Sequence, residues 1–162
     1  KNHRRIMSAM LGYSVNVKYL EDLHDLGYWY QQLVAESLGK NGKGITPMLS
    51  FGPKDHHSLL QLYLDGPQNK FFTFFKPMNN NKKNVRLNYV IEAQYKAIKN
   101  VFKSKKIPFR EITFKKKTEE EIGSIFTFFV LETILLSRLM NVNPFNQPAV
   151  EQVKIETKKF LR

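Results

Sequence analysis

GPKDHHSLLQLYLDG, Gly52 to Gly66, follows directly on the apolar run ITPMLSF, Ile45 to Phe51. The run alternates imperfectly and ends at Gly52-Pro53, the pattern of a buried strand closed by a turn. Asp55 or His56 then opens a helix through Tyr63, with Leu59, Leu60 and Leu62 to Leu64 as its buried contacts and His57 in its first turn. A strand feeding a helix through a tight turn is one half of a layered α/β unit, and two adjacent histidines stand at the junction. Sixteen residues before Gly52, the stretch AESLGK closes the preceding helical pattern on Glu36 and a glycine.

The same alternation of strand and helix continues on both sides. Ser8 to Tyr13 reads as a strand leading into a polar turn at Ser14 and Asn16. Leu20, Leu23, Leu26, Tyr30, Leu33 and Val34 recur at helical spacing, and Gly39 is placed to stop that helix. Glu36 therefore falls at a helix end, where backbone carbonyls disfavour a carboxylate, so the placement points to another use. Lys70 to Lys76, KFFTFFK, is a strand by its aromatic content, and Pro77 to Lys83 is a polar, mobile loop. Ile91, Tyr95, Ile98 and Phe102 mark one stripe of a helix over Asn88 to Lys103, and Pro108 to Phe114 is a fourth strand. Thr118 with Glu121 forms a capping-box pattern that opens an apolar helix to about Met140. Asn146 or Gln147 caps a last helix with Pro148 at its first position, carrying Val150, Val153, Ile155 and Phe160. The sum is an α/β layer structure with a mostly parallel sheet flanked by helices, whose ligands sit beyond the carboxyl ends of the strands.

The 162 residues, 42% of them hydrophobic, suit one domain with a real core. With no cysteine, a disulfide frame and a thiolate metal site are both excluded, and a reducing cytoplasm is compatible. Ile125 to Leu136, the longest apolar run, is interrupted by Thr127, Glu132 and Thr133 and is shorter than the roughly 18 residues of a membrane span, so it reads as a buried helix. Glu132 within it must find a partner or reach the surface.

A net charge of +12 favours acidic partners such as sugar phosphates or nucleic acids. The basic residues are 20 Lys and 6 Arg, however, whereas directed phosphate and base recognition leans on the arginine fork. Lys96 to Lys117 holds nine basic residues against one acidic, but it lacks an Arg cluster or an aromatic stacking platform, and a nucleic-acid-binding module is disfavoured. GKNGKG, Gly39 to Gly44, lacks the GK[ST] spacing of a phosphate loop and precedes a strand-like segment. No metal-ligand cluster is present, and no cofactor is implied. Glu36 and the pair His56 and His57 supply the residue types that proton transfer at a carbonyl needs, a general base and a second acid/base group, although spacing alone favours structural roles for all three.

Three stretches in order carry a resemblance. GPKDHHSLLQLYLDGP resembles the segment of glucose-6-phosphate isomerases that holds their ring-opening histidine, with His56 where Gln is common. AESLGK matches ahead of it, and NPFNQPAVEQVK, Asn143 to Lys154, is similar to the family's C-terminal signature, with departures at Asn146 and Ala149. The resemblance runs along nearly all of the chain and covers only the family's C-terminal portion. It implies that residues 1–162 form a single sugar-isomerase (SIS, flavodoxin-like) domain, a fragment of a two-domain cytoplasmic enzyme; the lack of an initiating Met agrees.

For chemistry, the resemblance implies interconversion of glucose 6-phosphate and fructose 6-phosphate, a step of glycolysis and gluconeogenesis. Glu36 would be the base that shuttles a proton between C2 and C1, and His57 would open the sugar ring. Lys154 would assist ring opening, and Gln147 would lie near the substrate phosphate. The family's histidine reaches into the partner subunit's site, so a homodimer with shared active sites is implied. The Ser/Thr-rich phosphate loop and the arginine that steadies the enediolate belong to the absent N-terminal domain, and the isolated chain is expected to be inactive. The rival readings are a non-catalytic sugar-phosphate-binding regulatory domain and, further behind, the nucleic-acid module.

Overall fold

KFFTFFKP, Lys70–Pro77, is the strand from which both faces of the sheet can be read. In the computed structural model, which describes residues 7–13, 17–52, 54–77, 85–114 and 118–161, its side chains alternate between two cores. Phe72 and Phe74 point to one face, where they pack with Tyr63, Tyr95, Ile98, Phe102 and Ile107. Phe75 points to the other, into Leu26, Tyr30, Val34, Leu38, Phe114, Ile125 and Phe129. A strand that is apolar on both faces needs helices on both, and the chain supplies them in alternation.

The elements run β1 (Met7–Tyr13), α1 (Val17–Leu38), β2 (Thr46–Gly52), a 3-10 turn (Lys54–His56), α2 (Leu60–Asp65), β3 (Lys70–Pro77), α3 (Val85–Ser104), β4 (Phe109–Phe114), α4 (Glu119–Met140) and α5 (Pro148–Phe160). The four strands lie in the order β2-β1-β3-β4, and every neighbouring pair is parallel. This is the doubly wound, flavodoxin-like order. Helices α2 and α3 cover one face and α1 and α4 the other. Pro47 is accommodated because β2 is an edge strand, where a missing N–H costs no ladder bond.

Helix α1 runs back against the sheet. Gly27 lies so close on β2 that a Cβ there would stand 2.7 Å from Leu49 Cδ2, and about one turn later Gln31 Nε2 donates to the Pro47 carbonyl at 3.2 Å. The C-terminal end of α1, with Glu36, therefore overhangs the amino end of β2. Gly39 ends the helix as its spacing predicts, donating to the Ala35 carbonyl at 3.0 Å; a Cβ on Gly39 would meet that same oxygen at 2.6 Å.

Two expectations change. The helix expected to open at Asp55 or His56 begins at Leu60, and His57 lies in the turn between the 3-10 segment and α2. The cause is Asp55, whose carboxylate reaches back to β2 instead of capping a helix. Helix α4 is buried along one stripe only, Ile125, Phe129, Thr133 and Ser137, because the sheet and α1 cover a single side. Its other side exposes Leu131, Leu135 and Leu139, and by length and composition alone the helix is long and apolar enough to cross a membrane. Helix α5, which carries Val150, Val153, Ile155 and Phe160, has no buried residue. Pro53, the polar turn at 14–16 and the loop from 78 to 83 lie outside the described residues.

Candidate active site

Glu36 and Gln147, far apart in sequence, meet at the amino edge of the sheet. Gln147 Nε2 donates to Glu36 Oε2 at 2.6 Å, and Gln32, one turn back on α1, donates to Glu36 Oε1 at 3.2 Å. Two amide donors thus answer a carboxylate that the end of a helix would otherwise disfavour. Gln147 occupies the N-cap position of α5 without capping it, its side chain being turned to Glu36. Pro148, at the first position of the helix, requires no N–H partner there.

The loop that delivers Gln147 is laced to the loop after α1. Lys43 Nζ donates to the Met140 carbonyl at 2.7 Å, and Lys40 Nζ donates to the carbonyls of Asn143 at 2.5 Å and Ser37 at 3.0 Å. Met140 ends α4 and Ser37 lies in the last turn of α1, so each lysine satisfies one carbonyl at the negative pole of a helix. Asn141, in the left-handed region at φ 52°, turns the chain out of α4. The lysines of GKNGKG are therefore engaged by carbonyls at this junction, a role that spacing alone did not reveal.

His57 stands elsewhere. It follows β2 at the carboxyl end of the sheet, is exposed, and donates its backbone N–H to the Lys54 carbonyl at 3.2 Å. Six steps of β2 at ~3.3 Å each separate the two edges by about 20 Å, so one chain does not bring His57 to Glu36. Its neighbour His56 is half-buried; burial, reinforced by His57 and partly offset by Asp55, lowers its pKa below the usual histidine value.

Lys154 lies on exposed α5, paired with Glu151 at 2.6 Å. An exposed pair of this kind contributes little to stability. Seven residues beyond Gln147, close to two turns, Lys154 returns to nearly the same side of the helix and lies roughly 10 Å further along its axis. Glu132, whose partner the sequence left open, meets Arg110 of β4 through both carboxylate oxygens. The basic 96–117 stretch is partly neutralised within the fold, Lys99 by Glu111 and Lys96 by Glu92. Among the described residues, no group of three or more His, Asp or Glu could hold a metal ion.

A flavodoxin-like sheet with a carboxylate–amide pair at its amino edge and a histidine presented at its carboxyl edge defines a doubly wound α/β domain. No protein-family model matches the chain. Curated relatives do: a glucose-6-phosphate isomerase of Methanocaldococcus jannaschii is 39% identical over an alignment 154 positions long that covers 87% of this chain and 38% of that protein. One of Mycoplasmopsis synoviae is 35% identical, covering 85% of this chain and 36% of the relative. Among solved structures, a hypothetical protein of Thermus thermophilus matches with a TM-score of 0.78 at 26% identity, over 98% of this chain and 42% of the other. A glucose-6-phosphate isomerase of Chlamydia trachomatis gives the same TM-score at 15% identity, a likeness of fold, over 96% of this chain and 34% of the other. The chain belongs to the glucose-6-phosphate isomerase family. It spans well under half the length of the curated relatives it matches, as a C-terminal portion would.

Proposed function

We propose that the chain is the C-terminal sugar-isomerase domain of a cytoplasmic, two-domain glucose-6-phosphate isomerase that acts as a homodimer in glycolysis and gluconeogenesis. The observation that carries the reading is the Glu36–Gln147 pair. Glu36 removes the C2 proton of the open-chain sugar phosphate and returns it at C1, through an enediolate. A carboxylate held by two amides is already oriented for both transfers, which is where positioning accelerates such chemistry. Gln147 also lies near the substrate phosphate, and Lys154, on the same side of α5, assists ring opening.

Ring opening requires a proton delivered to the ring oxygen and one taken from the C1 hydroxyl, and His57 is suited to both. The distance between the two edges of one sheet supports a shared site, in which His57 of one protomer serves the Glu36 of its partner. The phosphate loop and the enediolate-stabilising arginine come from the N-terminal domain, so the isolated chain folds but turns over little substrate.

The test is Glu36→Gln in the full-length protein, with fructose 6-phosphate as substrate. The substitution keeps the size, keeps the bonding once one partner amide turns its oxygen to the new NH2, and removes the base, so turnover should fall by several orders of magnitude with sugar-phosphate binding retained. A full-length wild-type protein that folds and binds sugar phosphate without isomerising it would instead favour a regulatory domain.

A further inference from the structure

We propose that Asp55 is a positioning residue for His57, fixing the presentation of that histidine to the sugar ring. The inference rests on the ring-opening role given to His57 above. Asp55 Oδ2 accepts from Ser50 Oγ at 3.0 Å and from the Phe51 N–H at 2.6 Å, while Oδ1 accepts from Ser58 Oγ at 3.1 Å. Its main-chain carbonyl takes the Leu59 N–H at 2.9 Å. One residue, two before the histidine, thus ties the last residues of β2 to the two residues that follow it. Ser50 is 1% exposed, so the anchor at the strand end is rigid.

The need for such an anchor follows from where His57 lies. A histidine packed in a core takes its orientation from its neighbours, but His57 is exposed at the carboxyl edge and serves a site that its own chain does not hold. Its direction must then be set by its backbone, and the backbone from Lys54 to Leu59 is organised by Asp55. The two oxygens of a carboxylate accept all three donors without needing a hydrogen in return. Asparagine in the same place can keep the strand-side acceptor and offer its amide to the Ser58 hydroxyl, whereas alanine loses every side-chain bond.

The experiment compares Asp55→Ala, Asp55→Asn and His57→Ala in the full-length protein on two substrates. One is fructose 6-phosphate, which is mostly cyclic; the other is a four-carbon aldose 4-phosphate, which cannot close a ring and is followed by exchange of its C2 proton with solvent. Asp55→Ala should lower kcat on the cyclic substrate by about tenfold to a hundredfold, the scale of a roughly 1 Å misplacement, with the open-chain rate nearly unchanged. Asp55→Asn should recover most of the loss. Should Asp55→Ala not fold, Ser58→Ala, which removes one of the three donors, should shift the same ratio in the same direction. If His57→Ala discriminates between the substrates and the Asp55 and Ser58 variants do not, the positioning role is overturned while ring opening by His57 stands. Equal loss on both substrates in His57→Ala would remove the ring-opening role and this inference with it.

Discussion

Gln147 Nε2 and Glu36 Oε2 are joined across 2.6 Å although 111 residues separate them in the chain. The bond is made by a side chain at a helix N-cap that makes no capping bond, so its removal leaves α5 as well capped as before. Gln147→Ala should therefore leave thermal stability within about 0.5 kcal/mol, as for a surface change away from special features. The carboxylate loses its short donor and becomes less ordered, so kcat in the full-length enzyme should fall by about tenfold to a hundredfold. Parallel melting curves and steady-state assays separate the two effects.

Lys40 and Lys43 predict a different signature. They hold the 141–147 loop from outside it, through carbonyls of Met140 and Asn143. Methionine at both positions keeps the aliphatic stem and removes the charged donors, of which Lys43 is exposed and Lys40 half-buried. Hydrogen exchange should speed up at amides 141 to 147 and leave the sheet unaffected. An unchanged exchange pattern would show that the lysines do not hold the loop.

These two relationships mark where sequence reading reached its limit. The sheet was legible because KFFTFFK has a side chain for each face at alternate positions, and α3 because Ile91, Tyr95, Ile98 and Phe102 repeat at helical spacing and are all buried. Periodicity reports burial, and burial is what those elements are made of. Gln147 was named only through a motif, because no spacing rule connects residues 111 apart. Lys40, Lys43 and Asp55 escaped because each acts on main-chain groups of another segment, which have no identity in the sequence. The exposed side of α4 escaped for the opposite reason, since an apolar run does not say how many of its sides have a neighbour.

Arg110 and Glu132 pin β4 to α4. The guanidinium is held by both carboxylate oxygens and donates from Nε to Thr73 Oγ1 at 2.9 Å, with Phe71, Phe128 and Phe129 each 5.7 Å from its carbon. Their side chains are 26% and 22% exposed, so the pair is mostly withdrawn from water. Glu132→Ala removes the guanidinium's charged partner and should cost about 3 kcal/mol, the low end for breaking one side of a buried pair because the Thr73 bond and some solvent access remain. Replacing both with Met and Leu should cost much less than the sum of the single changes. Urea unfolding of the four-member cycle measures the coupling, and additive losses would mean the pair carries no joint stability.

Glu111 ties acid stability to one cluster on the opposite face. Burial would raise its pKa, but the Lys99 ammonium and the Tyr95 hydroxyl both bond the same carboxylate oxygen, and with Lys76 nearby they hold it below the usual value. A carboxyl group whose folded pKa is depressed contributes stability that is complete above its unfolded value, ~4.3 for glutamate, and is lost as pH falls through the folded value. Glu111→Gln removes that linked proton. The variant should be less stable than the wild type at pH 7, and the gap should close as pH falls below about 4. Urea midpoints across that range read the effect directly, and a gap that stays constant down to about pH 3 would show that Glu111 titrates alike in the folded and unfolded chains.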